Sequence, residues 1–584
     1  MSGHPGSRRP PTSRGRANPP SVRQPAWQPR RYLQTSPEVV AGDVVLGGEA
    51  TSPATPGLSA ASAARLGGRA IAMAGVVVVA GVVLSRLLGW LRTSVFLAEF
   101  GSKAQVGQLD AFLAAFRIPD TLFQLVAAGA VGSALVPVAS ALLANGEDRR
   151  ARRVVATIAN LILIVLVPLA IVVWFAAPAI VPAIAPIKDA SSLPLEIELT
   201  RWMLLSPILL AIAAVMTAGL NATGIFGVPA LAPNVYNIAI IVCAVALTPV
   251  MGINALALGV VLGAAGHVAT QAFAVRKNGL YAPVVDIHDP AVRETLLLMA
   301  PRALGLGATQ IVFVVTTYFA VQLTGGMTVY TAAFTALQIP VGLIGVPLGI
   351  VLLPPLSQAL ARGDTEKFRR LVDQSLRLLL YVAIPLTGVM IVLAGPGMTL
   401  LYQHGGFTPE EVATIVPVFL VFLIGLVAHV LISLLAPIFY AGKDTRTPVT
   451  AALLAVAVDV LAAALLFPQF QLNGLALAIG LGAWAEVTML FLLLRRRQGF
   501  DLRPLGLTVA FAVPGASLAA AASLAVDRFA AGVTHGSSSL VGLVVELGLA
   551  GAAGVGVYLA WSRVLRLPEL TTVTGLAKTV LRRG

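Results

Sequence analysis

Between Arg69 and Arg566 the sequence is a succession of apolar runs separated by short charged or Gly/Pro-rich joins. A helix needs about 20 largely apolar residues to cross a bilayer core, and in lipid each backbone amide must be satisfied within the structure. Runs of this length, one after another, make helix the expected fold and lipid the expected solvent. They leave no room for a sizeable soluble domain. The runs lie near 69–91, 108–143, 154–182, 198–220, 229–250, 253–275 and 294–322, then 327–360, 372–395, 411–440, 448–468, 473–494, 505–526 and 539–565. The expectation is an all-α polytopic membrane protein of about 14 transmembrane helices.

Charge then sets orientation. Only 11% of residues are charged, against about 25% in a soluble domain, and the net charge of +14 is gathered in short joins, not on one basic face. This argues against a nucleic-acid partner. Positive charge is retained on the cytoplasmic side. Alternate joins hold Arg149, Arg150, Arg152 and Arg153, then Arg276 and Lys277, Arg362, Lys367, Arg369 and Arg370, Lys443 and Arg446, and Arg495, Arg496 and Arg497. The others hold chiefly Lys103, Lys188 and Arg528. Both termini are therefore expected in the cytoplasm, with the chain multi-pass in a bacterial cytoplasmic membrane. Residues 1–64, rich in Pro, Arg, Ser and Gly, read as a disordered basic cytoplasmic tail, not a signal peptide. The single cysteine, Cys243, excludes a disulfide framework and a cysteine metal site. No metal or cofactor is expected.

A repeat organises the runs. Ile118 and Pro119 lead through a Gly-rich helix to Val136, Pro137 and Ser140 and end at Asn145, Gly146 and Glu147. At an offset of roughly 217 to 219 residues, Ile339 and Pro340 lead to Leu353, Pro354 and Ser357 and end at Arg362, Gly363 and Asp364. Six spans separate the copies, an even number, so both halves enter the membrane in the same direction and form a parallel repeat. The expected domains are a six-helix lobe over 65–277, a second over 278–497, an extra helix pair over 498–566 and a cytoplasmic tail over 567–584. Two pseudo-symmetric lobes around a cleft are what alternating access requires.

Ionisable residues inside spans cost on the order of 2.5 to 3.5 kcal/mol each at the bilayer centre and are functional candidates by default. Arg86 and Arg92, on the first span, differ by roughly 120° around the helix and need not share one face. Asp110, Arg117 and Asp120 open the second span, and Asp110 and Arg117 are two turns apart on one face, with a structural ion pair as the alternative. Arg302 follows Pro301 in the seventh span, where a guanidinium can meet a phosphate bidentately. Asp459 and Glu486 are candidates for binding a coupling cation or proton. His267 and His429 read as packed helix residues. No nucleotide-binding, metalloprotease or serine-hydrolase motif occurs, which disfavours an enzyme or an ATP-driven pump.

The segments Ser85-Arg86-Leu87-Leu88-Gly89 with Arg92, Asp110-Ala111-Phe112, Phe116 through Asp120, Pro340 through Gly345, Leu352-Leu353-Pro354, Leu401 through Thr408 and Phe439 through Pro448 resemble, in order and spacing, the MurJ/MviN family. These are lipid II flippases of the multidrug/oligosaccharidyl-lipid/polysaccharide exporter superfamily. The resemblance covers roughly residues 70–565. It implies a non-enzymatic flippase with a cationic cavity, carrying undecaprenyl-diphosphate-linked disaccharide-pentapeptide from the inner to the outer leaflet in peptidoglycan biosynthesis. The extra helix pair is implied to hold the lipid tail. Arg86, Arg92 and Asp110 match substrate-contacting positions of the family. Where many members carry an arginine pair after the Ile-Pro kink this chain has Phe123 and Gln124, and an eighth-span arginine is replaced near Thr335. Arg117 and Arg302 are expected to compensate in part. The alternatives are a flippase for another undecaprenyl-linked glycan, a drug/cation antiporter of the same superfamily, and a scaffold that recruits cell-wall synthesis or division proteins. Besides the lipid-linked precursor, the expected partners are membrane lipids.

Overall fold

The computed structural model describes Gly3 and residues 68–571, apart from 127–129, 188–189, 281, 443, 445 and 535–539. The basic tail expected over 1–64 lies outside these residues, save Gly3. Residues 68–571 fall within one compact unit. Every regular element among the described residues is helical: α1 (Gly68–Phe100), α2 (Val106–Val126), α3 (Ala130–Ala144), α4 (Asp148–Ile184), α5 (Leu193–Met203), α6 (Leu205–Ala222), α7 (Gly227–Met251), α8 (Asn254–Lys277) and α9 (Pro290–Ala320). There follow α10 (Gly326–Pro340), a π-helical turn (Val341–Gly345), α11 (Val346–Ala361), α12 (Thr365–Val392), α13 (Ala394–Tyr402), α14 (Pro409–Ala441), α15 (Arg446–Gln498), α16 (Arg503–Thr534) and α17 (Leu540–Val564).

Eleven spans among the described residues are long and apolar enough to cross a membrane, with shorter apolar helices at Ala134–Ala144 and Gly307–Ala320. Length alone counts fewer than the fourteen runs for visible reasons. One 52-residue span, Arg446–Arg497, merges two runs across a break at Gln471, whose φ of 49° no helix sustains. The second run falls on α2 and α3, with 127–129 between them outside the described residues, and α9 is counted only over Gly307–Ala320 because residues before it are incompletely described.

The helix ends follow from local sequence. Thr408-Pro409-Glu410-Glu411 forms a capping box, with the Thr408 amide donating to Glu411 Oε2 at 2.7 Å and the Glu411 amide donating to Thr408 Oγ1 at 3.4 Å. The two repeat copies close alike. Gly146 (φ 79°) and Gly363 (φ 70°) take the left-handed conformation after α3 and α11, and the next amides return to Leu142 O (2.9 Å) and Ala359 O (2.9 Å). Only glycine adopts that backbone without penalty, so the shared Gly marks the shared stop.

The join between α8 and α9 is strapped to α4. Asn160 Nδ2 donates to the carbonyls of Ala282 (3.1 Å) and Val284 (2.9 Å), and the Asp286 amide donates to Thr157 Oγ1 (3.2 Å). Arg150 meets Asp289 bidentately, at 2.9 and 2.8 Å, while Asp289 also caps α9 by accepting from the Ala291 amide at 2.8 Å. The Arg150 hydrogen bonds hold the Asp289 carboxyl below its ordinary value against the opposing effect of partial burial. A depressed carboxylate contributes stability above its unfolded pKa, about 3.9, and loses it as pH falls through the folded value. Asp289→Asn should therefore shrink the loss of thermal stability in acid relative to the parent. Melting curves of the two proteins in detergent, compared from about pH 7 to about pH 3, check this; parallel curves would contradict it.

The last two helices pack on each other and against α12. Beyond α17 the chain folds back, and the buried Glu569 accepts from Arg377 Nε (2.8 Å) and from Thr508 Oγ1 (3.1 Å). Tyr381 Oη donates to Ser562 Oγ at 2.8 Å, and Tyr558 Oη donates to the Tyr381 carbonyl at 2.9 Å. Polar bonds in an apolar setting make this a specific seam, since a misplaced helix would leave them unsatisfied.

Candidate functional site

A cleft enclosing about 650 Å³ lies among α1, α2, α7, α8 and α10. Arg92, Phe96, Phe112, Arg117, Tyr236 and Thr328 are among its lining residues, which include two arginines and no carboxylate. Arg92 is buried, donates to Asn237 Oδ1 at 3.1 Å and stands 5.9 Å from the Phe96 ring centroid. Asn237 is itself fully buried and donates from Nδ2 to the Pro233 carbonyl, one turn back on α7. The amide oxygen is thereby aimed at the guanidinium.

Arg117 reaches out of α2 toward α9. Its Nε donates to Thr317 Oγ1 at 3.3 Å, its Nη1 lies 3.5 Å from Asp120 Oδ2, and its guanidinium sits 4.9 Å from the centroid of Phe313. The ion pair is thus formed with Asp120, three residues on, and not with Asp110. Two arginines thus line an apolar cleft, one held by Asn237 and the other by Asp120, Thr317 and the Phe313 ring, and a guanidinium is a multidentate donor. That arrangement suits an anion with several oxygens.

Asp110 is engaged elsewhere. Its carboxylate accepts from the Gly325 amide (2.6 Å), the Thr328 amide (2.8 Å) and the Thr328 hydroxyl (2.7 Å). Gly325, at φ 75°, is the N-cap of α10, so a side chain from the first half caps a helix of the second. Negative charge at a helix N-terminus is favoured by the helix dipole as well as by the hydrogen bonds. Close by, the Gly406 amide donates to Ala98 O at 2.8 Å and Tyr402 Oη donates to Ala332 O at 2.8 Å. The first of these, like the Asp110 bonds, ties the first half to the second beside the cleft.

Arg86 takes a different direction from Arg92, as their angular separation predicts. A Cβ at Gly342, in the π-helical turn, would lie 3.6 Å from Arg86 Nε, so the side chain runs against the second half. Arg302 lies on α9, with its side chain outside the described residues. Phe123 is buried in the hydrophobic core, and Thr335 is half-buried. The cleft therefore brings together Arg92 and Arg117, places Asp110 at its edge through Thr328, and leaves Arg86 beside the π turn.

A second cavity of about 490 Å³ is lined by Thr309, His429, Asp459, Gly482 and Glu486, among others. Asp459 and Glu486 are both buried, and Glu486 Oε1 and His429 Nε2 have no hydrogen-bond partner among the described residues. The sequence reading paired the two acids but took His429 for a packing residue. It also passed over Asn237, Tyr236 and Thr328; the signal available was polar side chains inside otherwise apolar runs.

Comparison with known proteins places this geometry. A family profile described as lipid II flippase MurJ matches residues 98–557, a range that begins after Arg86 and Arg92. The chain is 32% identical over 489 residues to a probable lipid II flippase MurJ of Rhizobium meliloti (strain 1021), covering 82% of this chain and 90% of that one. It is 30% identical over 446 residues to a lipid II flippase MurJ of Burkholderia cenocepacia, covering 75% and 86%. Among solved structures it is similar to a lipid II flippase MurJ in an inward closed conformation, with a TM-score of 0.69 at 22% identity over 84% of this chain and 98% of that one. It also shares its fold with an inward-facing multidrug resistance MATE family transporter of the MOP superfamily, with a TM-score of 0.61 at 14% identity over 71% and 94%.

Proposed function

The chain belongs to the lipid II flippase MurJ family, and from that premise we propose that it carries lipid II from the inner to the outer leaflet of the cytoplasmic membrane by alternating access. It is a multi-pass membrane protein that acts as a transporter and makes or breaks no covalent bond. The observation that carries this reading is the convergence of Arg92 and Arg117 on one cleft, with a wall of Met327, Thr328 and Thr331 from the second half. Desolvated guanidinium groups are costly, and a diphosphate in the cleft offsets that cost through charge-assisted, bidentate hydrogen bonds. Arg86 and Arg302 complete the cationic set around the head group. Asp110 serves it indirectly, as the latch that closes one end.

With both termini in the cytoplasm, that closed end faces outward. Fourteen crossings then form lobes over 65–277 and 278–497 that rock against one another, while the pair over 498–566 walls the path of the lipid tail. Asp459 and Glu486, with His429, supply titratable groups for a coupling cation or proton. A drug/cation antiporter would want an acidic cleft, and the lining here is the opposite. The test is a binding measurement on the purified chain. Lipid II should bind at least about tenfold more tightly than an undecaprenyl glycan lacking the diphosphate, the yield of a single charged hydrogen bond at about 1.5 kcal/mol. Equal affinities would contradict the assignment.

A further inference from the structure

Glu196, in the first turn of α5, is fully buried, and neither of its carboxyl oxygens has a hydrogen-bond partner among the described residues. An ionised carboxylate placed so would lose its hydration with nothing to replace it, whereas the neutral acid loses far less. Burial without a partner thus favours the acid form. A metal ion does not fit, because it needs several ligands and no group of three or more acidic, histidine or cysteine side chains that could hold one occurs among the described residues. A proton needs only the one carboxyl.

Lys188 and Asp189, in the join that leads into α5, lie outside the described residues. On α5 itself are Glu198 and Arg201, the latter donating to the Trp174 carbonyl. The helices packed against α5 are α2, α4, α6 and α8. On α2, Asp110 is held by the amides of α10, and Arg117 and Asp120 face one another. On α4 are Asp148, Arg149, Arg150, Arg152 and Arg153, all at the end remote from α5's first turn; α6 has no titratable group, and α8 carries His267, Arg276 and Lys277. None of these bonds to the Glu196 carboxyl.

We propose that Glu196 is a proton-binding site reached from the outer side, whose occupancy stabilises the outward-closed arrangement. The proposal rests on the orientation and gate reading above. The first turn of α5 follows directly on the join over 185–192, which that reading places outside. Helix α5 packs along α2, and α2 carries the latch carboxylate Asp110. Opening this end admits water to the first turn of α5, where the carboxylate can ionise and release its proton to the outer solution. The closed state therefore prefers the protonated acid. It is favoured at low outer pH and gives way as outer pH rises.

The test uses the full chain in lipid nanodiscs, with Cys243→Ala and spin labels at Lys103→Cys and Thr324→Cys, exposed positions on either side of the latch. Distances are measured from about pH 5 to about pH 9, and Asp110→Ala shows what an open latch looks like. The ratio of short to long distances should fall at least about tenfold across this range with Glu196 present, and stay flat and high in Glu196→Gln, a permanently neutral isostere. Should the glutamine variant fail to fold, Glu196→Asp should keep the response with a displaced midpoint. An unchanged response in Glu196→Gln, or a flat one in Glu196→Asp, overturns the site. A flat parent whose Asp110→Ala form still lengthens overturns the proton site alone. If Asp110→Ala does not lengthen either, the gate reading falls and the proposal with it.

Discussion

Replacing Arg92 with alanine should abolish transport while leaving the chain folded and inserted. The guanidinium lines the cleft and donates to the neutral Asn237, so its removal strands that amide oxygen. That oxygen costs about 1–3 kcal/mol, a tolerable loss of stability for a chain of this size. Loss of a charged hydrogen bond to a diphosphate, at about 1.5–3 kcal/mol, lowers substrate engagement by roughly 10- to 150-fold. Arg92→Lys should rescue poorly, because an ammonium lacks the planar fork that meets two phosphate oxygens together. Arg117 is the less clean target, since removing it strands the buried Asp120, which is expected to cost stability as well as transport. Flux per inserted molecule, measured with a fluorescent lipid II in proteoliposomes, separates the two effects. Parental flux in Arg92→Ala would remove Arg92 from the site.

Asp110→Ala should open the outer end. Three hydrogen bonds at the start of α10 are lost at once, two of them to backbone amides that the helix cannot satisfy itself. At about 1 kcal/mol or more each, the closed arrangement loses about 3 kcal/mol, or on the order of a hundredfold in the closed-to-open ratio. Asp110→Asn, which keeps one acceptor and loses the charge, should fall between. The label distance between Lys103 and Thr324 reads the shift directly, and transport should fall with it because a carrier open outward cannot reload from the inner leaflet. A closed distance retained in Asp110→Ala would make this contact incidental.

Much of this architecture is legible in the sequence because lipid permits so few solutions. Apolar runs with no soluble domain between them allow only a helical bundle, and the Gly146 and Gly363 stops repeat because glycine takes the left-handed backbone without penalty. What periodicity could not supply was the partner of each buried charge. Asp110 and Arg117 share a helix face, yet Arg117 turns to Asp120 and Asp110 to backbone amides more than two hundred residues away. An amide leaves no mark in sequence, so a capping contact between distant helices is invisible there. Glu196 was overlooked for a related reason: one acid near a helix start reads as an ordinary first-turn carboxylate, and only burial without a partner sets it apart. The Arg86 and Arg92 assignments rest instead on charge within an apolar span and on the family resemblance, and the cleft gathers one of the two.

The most direct measurement depletes the resident lipid II flippase from a bacterium and follows growth and outer-leaflet lipid II with this chain, or its Arg92→Ala form, expressed in its place. Rescue of both by the parental chain, and of neither by Arg92→Ala at equal membrane abundance, is the expected result. A parental chain that is inserted and folded but restores neither would contradict the account, and would direct attention to another undecaprenyl-linked glycan as the cargo.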